Sequence, residues 1–210
     1  MNLIKSIAGD IRLFFLQQKQ LNEIKKKQNA KVMLHLGCGR NYFDGWINID
    51  NNSYNDIQKL DLHWDLRKKL PFKDNSVDFI YNEHFFEHFS IEESLRLLHE
   101  FKRILKPQGV IRISMPDLDD IVKVYLNPDY GPADFSAVMG TELVTRAEFL
   151  NVYFRWWGHQ WLYNWEEFER RLKDAGFSKI KKCARSISEY KELNNIEQRT
   201  DSRLIAEVCK

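Results

Sequence analysis

Apolar positions recur at helical spacing at the start of the chain. Leu3, Ile4, Ile7, Ile11, Phe14 and Phe15 fall on one side, and Lys25, Lys26 and Lys27 close the run. This predicts one amphipathic helix over residues 2–27. The period then changes. "KVMLHLGCGR" holds a short apolar strand, residues 32–36, that runs into glycines. "WINID" (46–50) reads as a second strand, "IQKLDL" (57–62) as a third and "VDFIY" (77–81) as a fourth, reached through the turn "LPFKDNS". Ser90 with Glu93 three residues on makes a capping box, opening an amphipathic helix to residue 105 that "KPQG" stops. "VIRISMP" (110–116) is a fifth strand. Residues 117–157 read as helical with a break at "NPDYGP". Asn164 and Glu167 predict a second capping box, for a helix ending at Gly176, and "SKIKKCARS" and "SRLIAEVCK" read as a closing strand pair.

Strands alternating with helices before a terminal strand pair predict an α/β fold with a doubly wound, mainly parallel seven-stranded sheet. The expected division is an N-terminal helix over 1–29 and one domain over 30–210, with a helical aromatic lid inserted at about 117–163. Composition adds little. A chain of 210 residues that is 43% hydrophobic buries one good core, and a net charge of +2 gives no reason to expect nucleic acid. Cys38, Cys183 and Cys209 are odd in number and lack C-x-x-C spacing, which points to free thiols in a reducing compartment. No apolar run approaches the ~20 residues that span a bilayer, and Lys5, Asp10 and Arg12 interrupt any secretory signal. A cytoplasmic protein is expected.

Ligands of such sheets bind beyond the carboxyl ends of the strands. "HLGCGRNYFDGWINID" follows the first strand there, and Gly37 and Gly39 permit a sharp turn and close approach of the backbone to a ligand. A dinucleotide fingerprint would need a small residue where Tyr42 stands and a more distant acid, so a nicotinamide or flavin dinucleotide is disfavoured. Asp50, ending the next strand, is placed to accept two hydrogen bonds from a ribose diol.

"HFFEH" (84–88) fits the H-x-x-E-H pattern of inverted zinc proteases. Squeezed between a strand and the cap at Ser90, it lacks the sustained helix such a site needs, and no metal is expected. Glu83, His84, Glu87 and His88 nonetheless sit at a strand end, where a functional role for one of them is expected. Four of the six tryptophans fall in "RWWGHQWLYNW" (155–165), beside Phe149, Tyr153 and Phe154. These rings either pack a helical cap or form a substrate lid, with Gly158 as hinge and His159 as the histidine best placed for general base duty outside the fourth-strand loop.

These pieces together resemble the class I S-adenosylmethionine-dependent methyltransferases, specifically the type 11 group, over roughly residues 31–209. The best-matched segments are "LHLGCG", "WINID", "LPFKDNSVDFIYNEHFFEHF", "LHEFKRILKPQGVIRISMPD" and "LKDAGF". The resemblance implies a Rossmann-like fold and an enzyme with S-adenosylmethionine as cofactor. By it, Gly37, Cys38 and Gly39 pass under the methionine part, Asp50 takes the ribose hydroxyls, Asp65 and Leu66 the adenine, and Asn82 and Glu83 complete the site. His159, His88 and Asp117 are the candidate bases for an oxygen acceptor, whereas a neutral amine does not require one. The lid is similar to that of members associated with surface-glycan assembly, so the expected acceptor is a small molecule, with a sugar hydroxyl favoured. A departure is the nine residues, 37–45, between the first two strands, where a parallel crossover usually takes a dozen or more. The usual first helix must be cut to about a turn. The alternatives are a non-catalytic scaffold with this fold and, remotely, the zinc protease. The N-terminal helix has three readings: packing within the chain to cover the sheet face left bare, a homodimer contact in place of a monomer, or peripheral membrane contact through residues 1–27.

Overall fold

The computed structural model describes residues 2–27, 31–51 and 59–210. Seven strands form one sheet: β1 (Met33–Leu36), β2 (Ile47–Asp50), β3 (Leu62–His63), β4 (Val77–Glu83), β5 (Leu105–Met115), β6 (Lys179–Lys182) and β7 (Leu204–Cys209). Their order is β3-β2-β1-β4-β5-β7-β6, and β7 alone runs antiparallel to its neighbours. The third strand is shorter than its pattern suggested, and residues 57 and 58 of that reading lie outside the described residues. The fifth starts earlier, because a bulge with Gln108 at φ 66° lets the chain re-pair after "KPQG".

The helices are α1 (Asn2–Lys27), α2 (Ile91–Ile104), α3 (Leu118–Leu126), α4 (Pro132–Met139), α5 (Arg146–Arg155) and α6 (Trp165–Asp174). The Ser90–Glu93 capping box opens α2 in both directions. At α6 only half of the expected box forms. Asn164 accepts from the Glu167 amide, while the Glu167 carboxylate is drawn to Arg170 and Arg171.

The two faces of the sheet are covered differently. On one, Leu34, Leu36, Ile49, Ile80, Ile111, Ile113 and Val208 pack under Leu98, Phe101 and Ile104 of α2 and Phe168 and Leu172 of α6. The opposite face carries Met33, Phe79 and Tyr81, and loops cover it: Phe43 and Trp46 from the β1–β2 connection, and Tyr190, Leu193 and Ile196 from the β6–β7 connection. That connection is anchored on a buried cation. Arg112 donates to Glu197 (2.5 Å), to Glu207 (2.6 Å) and to the carbonyls of Ile187 and Ala184. Turns, with no helix, join β1 to β2.

Helix α1 does not cover the bare face as expected. It lies along the β3 edge, where Gln17 donates to the His63 carbonyl (2.8 Å), Gln20 accepts from the His63 amide (3.0 Å) and Ile24 is buried. Loops already fill that face, and the short β3 leaves an edge whose backbone groups need partners. Further toward the start of α1, Phe14 is 55% and Phe15 66% exposed. Among the described residues no helix is long and apolar enough to cross a membrane. Helices α3, α4 and α5 form the insertion, with a small core of their own around Phe135, Phe149, Val152 and Leu162.

Candidate active site

A cavity of about 760 Å³ lies beyond the carboxyl ends of β1, β2 and β4, closed on one side by the helical insertion. At one end stand Gly37, Gly39, Asp50, Asp65 and Leu66; at the other stand His84, His88, Tyr153, Trp157 and His159.

The first end is built from strand termini. Gly37 has φ 64°, donates to the Ile49 carbonyl (2.9 Å), and has no room for a Cβ, which would sit 2.2 Å from the Phe85 ring. Gly39 has φ 52°, yet a Cβ there would meet nothing within 4 Å. Its backbone therefore borders open cavity. The Asp50 carboxylate accepts from the Gly39 amide (3.0 Å) and the Asn51 amide (2.7 Å), which holds it in place at the cavity wall. Asp65 is gripped by both arms of Arg67 (2.9 and 3.1 Å), and these hydrogen bonds hold its carboxyl below the usual range.

The other end is closed and titratable. After β4 the chain takes φ 47° at His84 and a single 3₁₀ turn, Phe86–His88, with no sustained helix. Glu87 is fully buried, and neither carboxylate oxygen finds a hydrogen bond among the described residues. Its nearest ring nitrogens are His84 Nδ1 at 3.5 Å and His159 Nε2 at 3.9 Å. Burial raises Glu87 to about 8 and lowers His88 to about 4, and it lowers His159 also. The Nδ1 of His159 meets the Tyr153 carbonyl at 2.7 Å, so Nδ1 carries the proton and Nε2 the lone pair. The rings of His88 and His159 meet edge-on at 4.9 Å. Glu87, His88 and His159 form a group that could hold a metal ion.

The sequence-derived residues divide. Seven line the cavity: Gly37, Gly39, Asp50, Asp65, Leu66, His88 and His159. Four do not. Cys38 is buried beside them, its thiol pushed up to about 12 by desolvation. Asn82 is wholly buried under the sheet end. Glu83 is spent as a structural acceptor, taking hydrogen bonds from the Gln198 and Arg199 amides and the Ser202 hydroxyl (2.9, 3.1 and 2.6 Å). Asp117 caps α3 through the Asp119 amide (3.0 Å), which its position before a helix demands. Asp117 thus stands as the cap of α3 and Glu83 as the anchor of a loop, and neither is among the cavity-lining residues. Arg199 and Asp201 line the cavity without having been expected. They arrive on the long β6–β7 connection, held there by the buried Arg112–Glu197 pair and by Glu83, neither of which is readable as an anchor in sequence. In the aromatic segment Phe149 and Tyr153 are lid core, whereas Trp156, Trp157 and Trp161 are exposed.

The sheet order with its one reversed strand defines the class I methyltransferase fold. Residues 34–113 match the family model of the methyltransferase domain, type 11. An uncharacterized protein of Methanocaldococcus jannaschii is 30% identical over 118 residues, 51% of this chain and 51% of that protein, so the match spans about half of each. Two solved structures share the fold. A SAM-dependent methyltransferase from Archaeoglobus fulgidus is 17% identical with TM-score 0.52, covering 94% of each chain. A SAM-dependent methyltransferase from Thermotoga maritima, described as a possible histamine N-methyltransferase, is 15% identical with TM-score 0.51, covering 98% of this chain and 97% of that one.

Proposed function

We propose that the protein transfers a methyl group from S-adenosylmethionine to an oxygen of a small, sugar-like acceptor held under the lid. The observation that carries this is the joining, in one cavity, of the strand-end glycines and acids with the lid histidines. The residues fit the cofactor. Gly39 borders open space, Asp50 presents a fixed acceptor for a diol, and Leu66 offers an apolar wall for a base. Bound there, the cofactor supplies an electrophilic methyl on sulfur.

The chain's part is alignment and proton handling. His159 stays neutral at pH 7 because burial lowers it, and its Nε2 lone pair is free to take a hydroxyl proton. His88 is the second candidate. Trp157 on the cavity wall, with Trp156 and Trp161 exposed nearby, favours a sugar, whose C–H faces stack on indole. The purified chain should methylate a member of a nucleotide-sugar panel, read as one added methyl on a sugar oxygen by mass spectrometry. Transfer to amines alone would overturn the oxygen assignment. Tight cofactor binding with no transfer to any acceptor would favour the scaffold reading.

The exposed Phe14 and Phe15, flanked by Arg12 and Lys19, further support peripheral contact with an anionic membrane in a cytoplasmic setting. Anionic vesicles should float the intact chain and not Phe14→Ser/Phe15→Ser. A homodimer dissociated by the same pair of changes would overturn this.

A further inference from the structure

We propose that Glu87, His88 and His159 bind one divalent transition-metal ion, which fastens the lid to the sheet and keeps coordination positions open to the cavity. Three observations carry it. The first is the donor set: two imidazoles and a carboxylate whose ligand atoms all lie within 4.8 Å of one another. Donors sharing one ion at about 2.1 Å stand roughly 3–4 Å apart, so the widest pair must draw in by roughly 1–2 Å. The separation of Glu87 from His159, 3.9 Å, is already in that range.

The second is Glu87 itself. A wholly buried carboxylate with neither oxygen hydrogen-bonded among the described residues is costly to keep, and a glutamine or leucine would fill the space more cheaply. A cation between Glu87 and the imidazoles removes that cost.

The third is preorganisation. The Tyr153 carbonyl fixes the His159 tautomer with its lone pair on Nε2, the nitrogen that faces Glu87. This is how ligating histidines are usually oriented. The two pieces of chain are held by backbone as well: the Gln160 amide donates to the Glu87 carbonyl (2.8 Å) and the Gln160 side chain to the His88 carbonyl (2.7 Å). Two ligands come from the β4–α2 turn and one from the lid, so the ion bridges them. His88 and His159 line the cavity and leave the ion's remaining positions facing it. An acceptor carrying adjacent oxygens suits those positions; with the ion bound the His159 Nε2 lone pair is taken, and the ion would replace His159 as base by acidifying the acceptor hydroxyl, a consequence that rests on the methyl-transfer reading. Two neutral imidazoles and one carboxylate select Mn²⁺, Fe²⁺, Co²⁺ or Zn²⁺ over Ca²⁺.

The sequence pattern H-x-x-E-H thus marks a metal site by a different route than the protease spacing suggests. His84 points its Nε2 at Asp201 (3.4 Å), and His159, far along the chain, takes its place.

The test is equilibrium dialysis of the intact chain against Co²⁺, with visible absorption and thermal melting of the same samples. One Co²⁺ per chain is expected, with d–d bands and a raised melting temperature. Affinity should fall roughly tenfold or more in Glu87→Gln and in His159→Ala, and stay unchanged in His99→Ala, which removes an exposed histidine on α2. Glu87→Gln keeps the side chain's shape, and unaltered binding of S-adenosylhomocysteine by that variant would show that its fold is intact. No saturable Co²⁺, or binding and melting shift retained in Glu87→Gln, overturns the proposal. Cobalt binding without S-adenosylhomocysteine binding would sink the cofactor reading and leave the metal site standing; the reverse would sink only the metal site.

Discussion

The two ends of the cavity solve different problems. At the glycine-loop end the groups are half-exposed, each carboxylate already satisfied by neighbouring amides or a guanidinium. At the lid end four ionisable side chains crowd together, His84, Glu87, His88 and His159, and desolvation is the largest influence on every one. The first end is arranged to receive a ligand with little reorganisation. The second stores an electrostatic cost that something bound there must relieve. Fixed backbone geometry suits a cofactor common to many acceptors, while clustered, tunable groups suit the chemistry of one particular acceptor.

The largest effect expected is on turnover. His159→Ala should lower the rate with an oxygen acceptor by ~10²–10⁴-fold while leaving cofactor affinity nearly unchanged, because the ring lies at the lid end, away from Asp50. Single-turnover rates with calorimetric affinities would measure both. A fall under about tenfold would pass the role to His88 and blur the contrast between the two ends.

Next comes the support of the lid end. Glu197 accepts from Arg112 (2.5 Å), the Ser114 hydroxyl (3.1 Å) and the Ser186 amide (2.8 Å) and so fixes the loop that delivers Arg199 and Asp201. Glu197→Ala strands part of a buried guanidinium and should cost about 3–5 kcal/mol by denaturant unfolding. A loss below about 1 kcal/mol would mean that Glu207 alone holds Arg112.

These expectations also show what could be seen without coordinates. The glycine-loop end was legible because its determinants are local: Gly37, Gly39 and Asp50 are strand-end residues whose positions follow from period and turn chemistry. The alternation of strands with helices and the capping box at Ser90 were readable for the same reason. The lid end was only partly so. His159 and His88 are 71 positions apart in sequence (159 − 88), and nothing in either segment indicates that their rings meet edge-on. Glu83 and Asp117 stood at the right strand ends, but a loop and a helix start, respectively, claimed their carboxylates. The bare sheet face was foreseen, but its cover was assigned to α1 because neither the reach of the β6–β7 loop nor its buried Arg112 anchor has a sequence period.

A smaller effect concerns the floor of the glycine-loop end. His35 is buried on the loop-covered face, stacked on Phe43 at 4.2 Å and beside Asn48, and desolvation lowers it from 6.5 to about 4. The unfolded chain takes up the proton near pH 6.5, whereas the folded chain does so only near pH 4. Stability from this group is full above pH 6.5 and is lost as pH falls toward 4, by about 3 kcal/mol in all. His35→Gln should flatten the acid arm of a stability profile by roughly that amount. An unchanged slope would place the acid sensitivity entirely at the lid end.

The most direct test is isothermal titration of the intact chain with S-adenosylhomocysteine, repeated on Asp50→Ala. One site per chain is predicted, with binding weakened in the variant by about 1.5–3 kcal/mol, the loss of charge-assisted hydrogen bonds to a diol. No binding by the unaltered chain, or equal affinity in a variant whose circular dichroism is unchanged, would contradict the account.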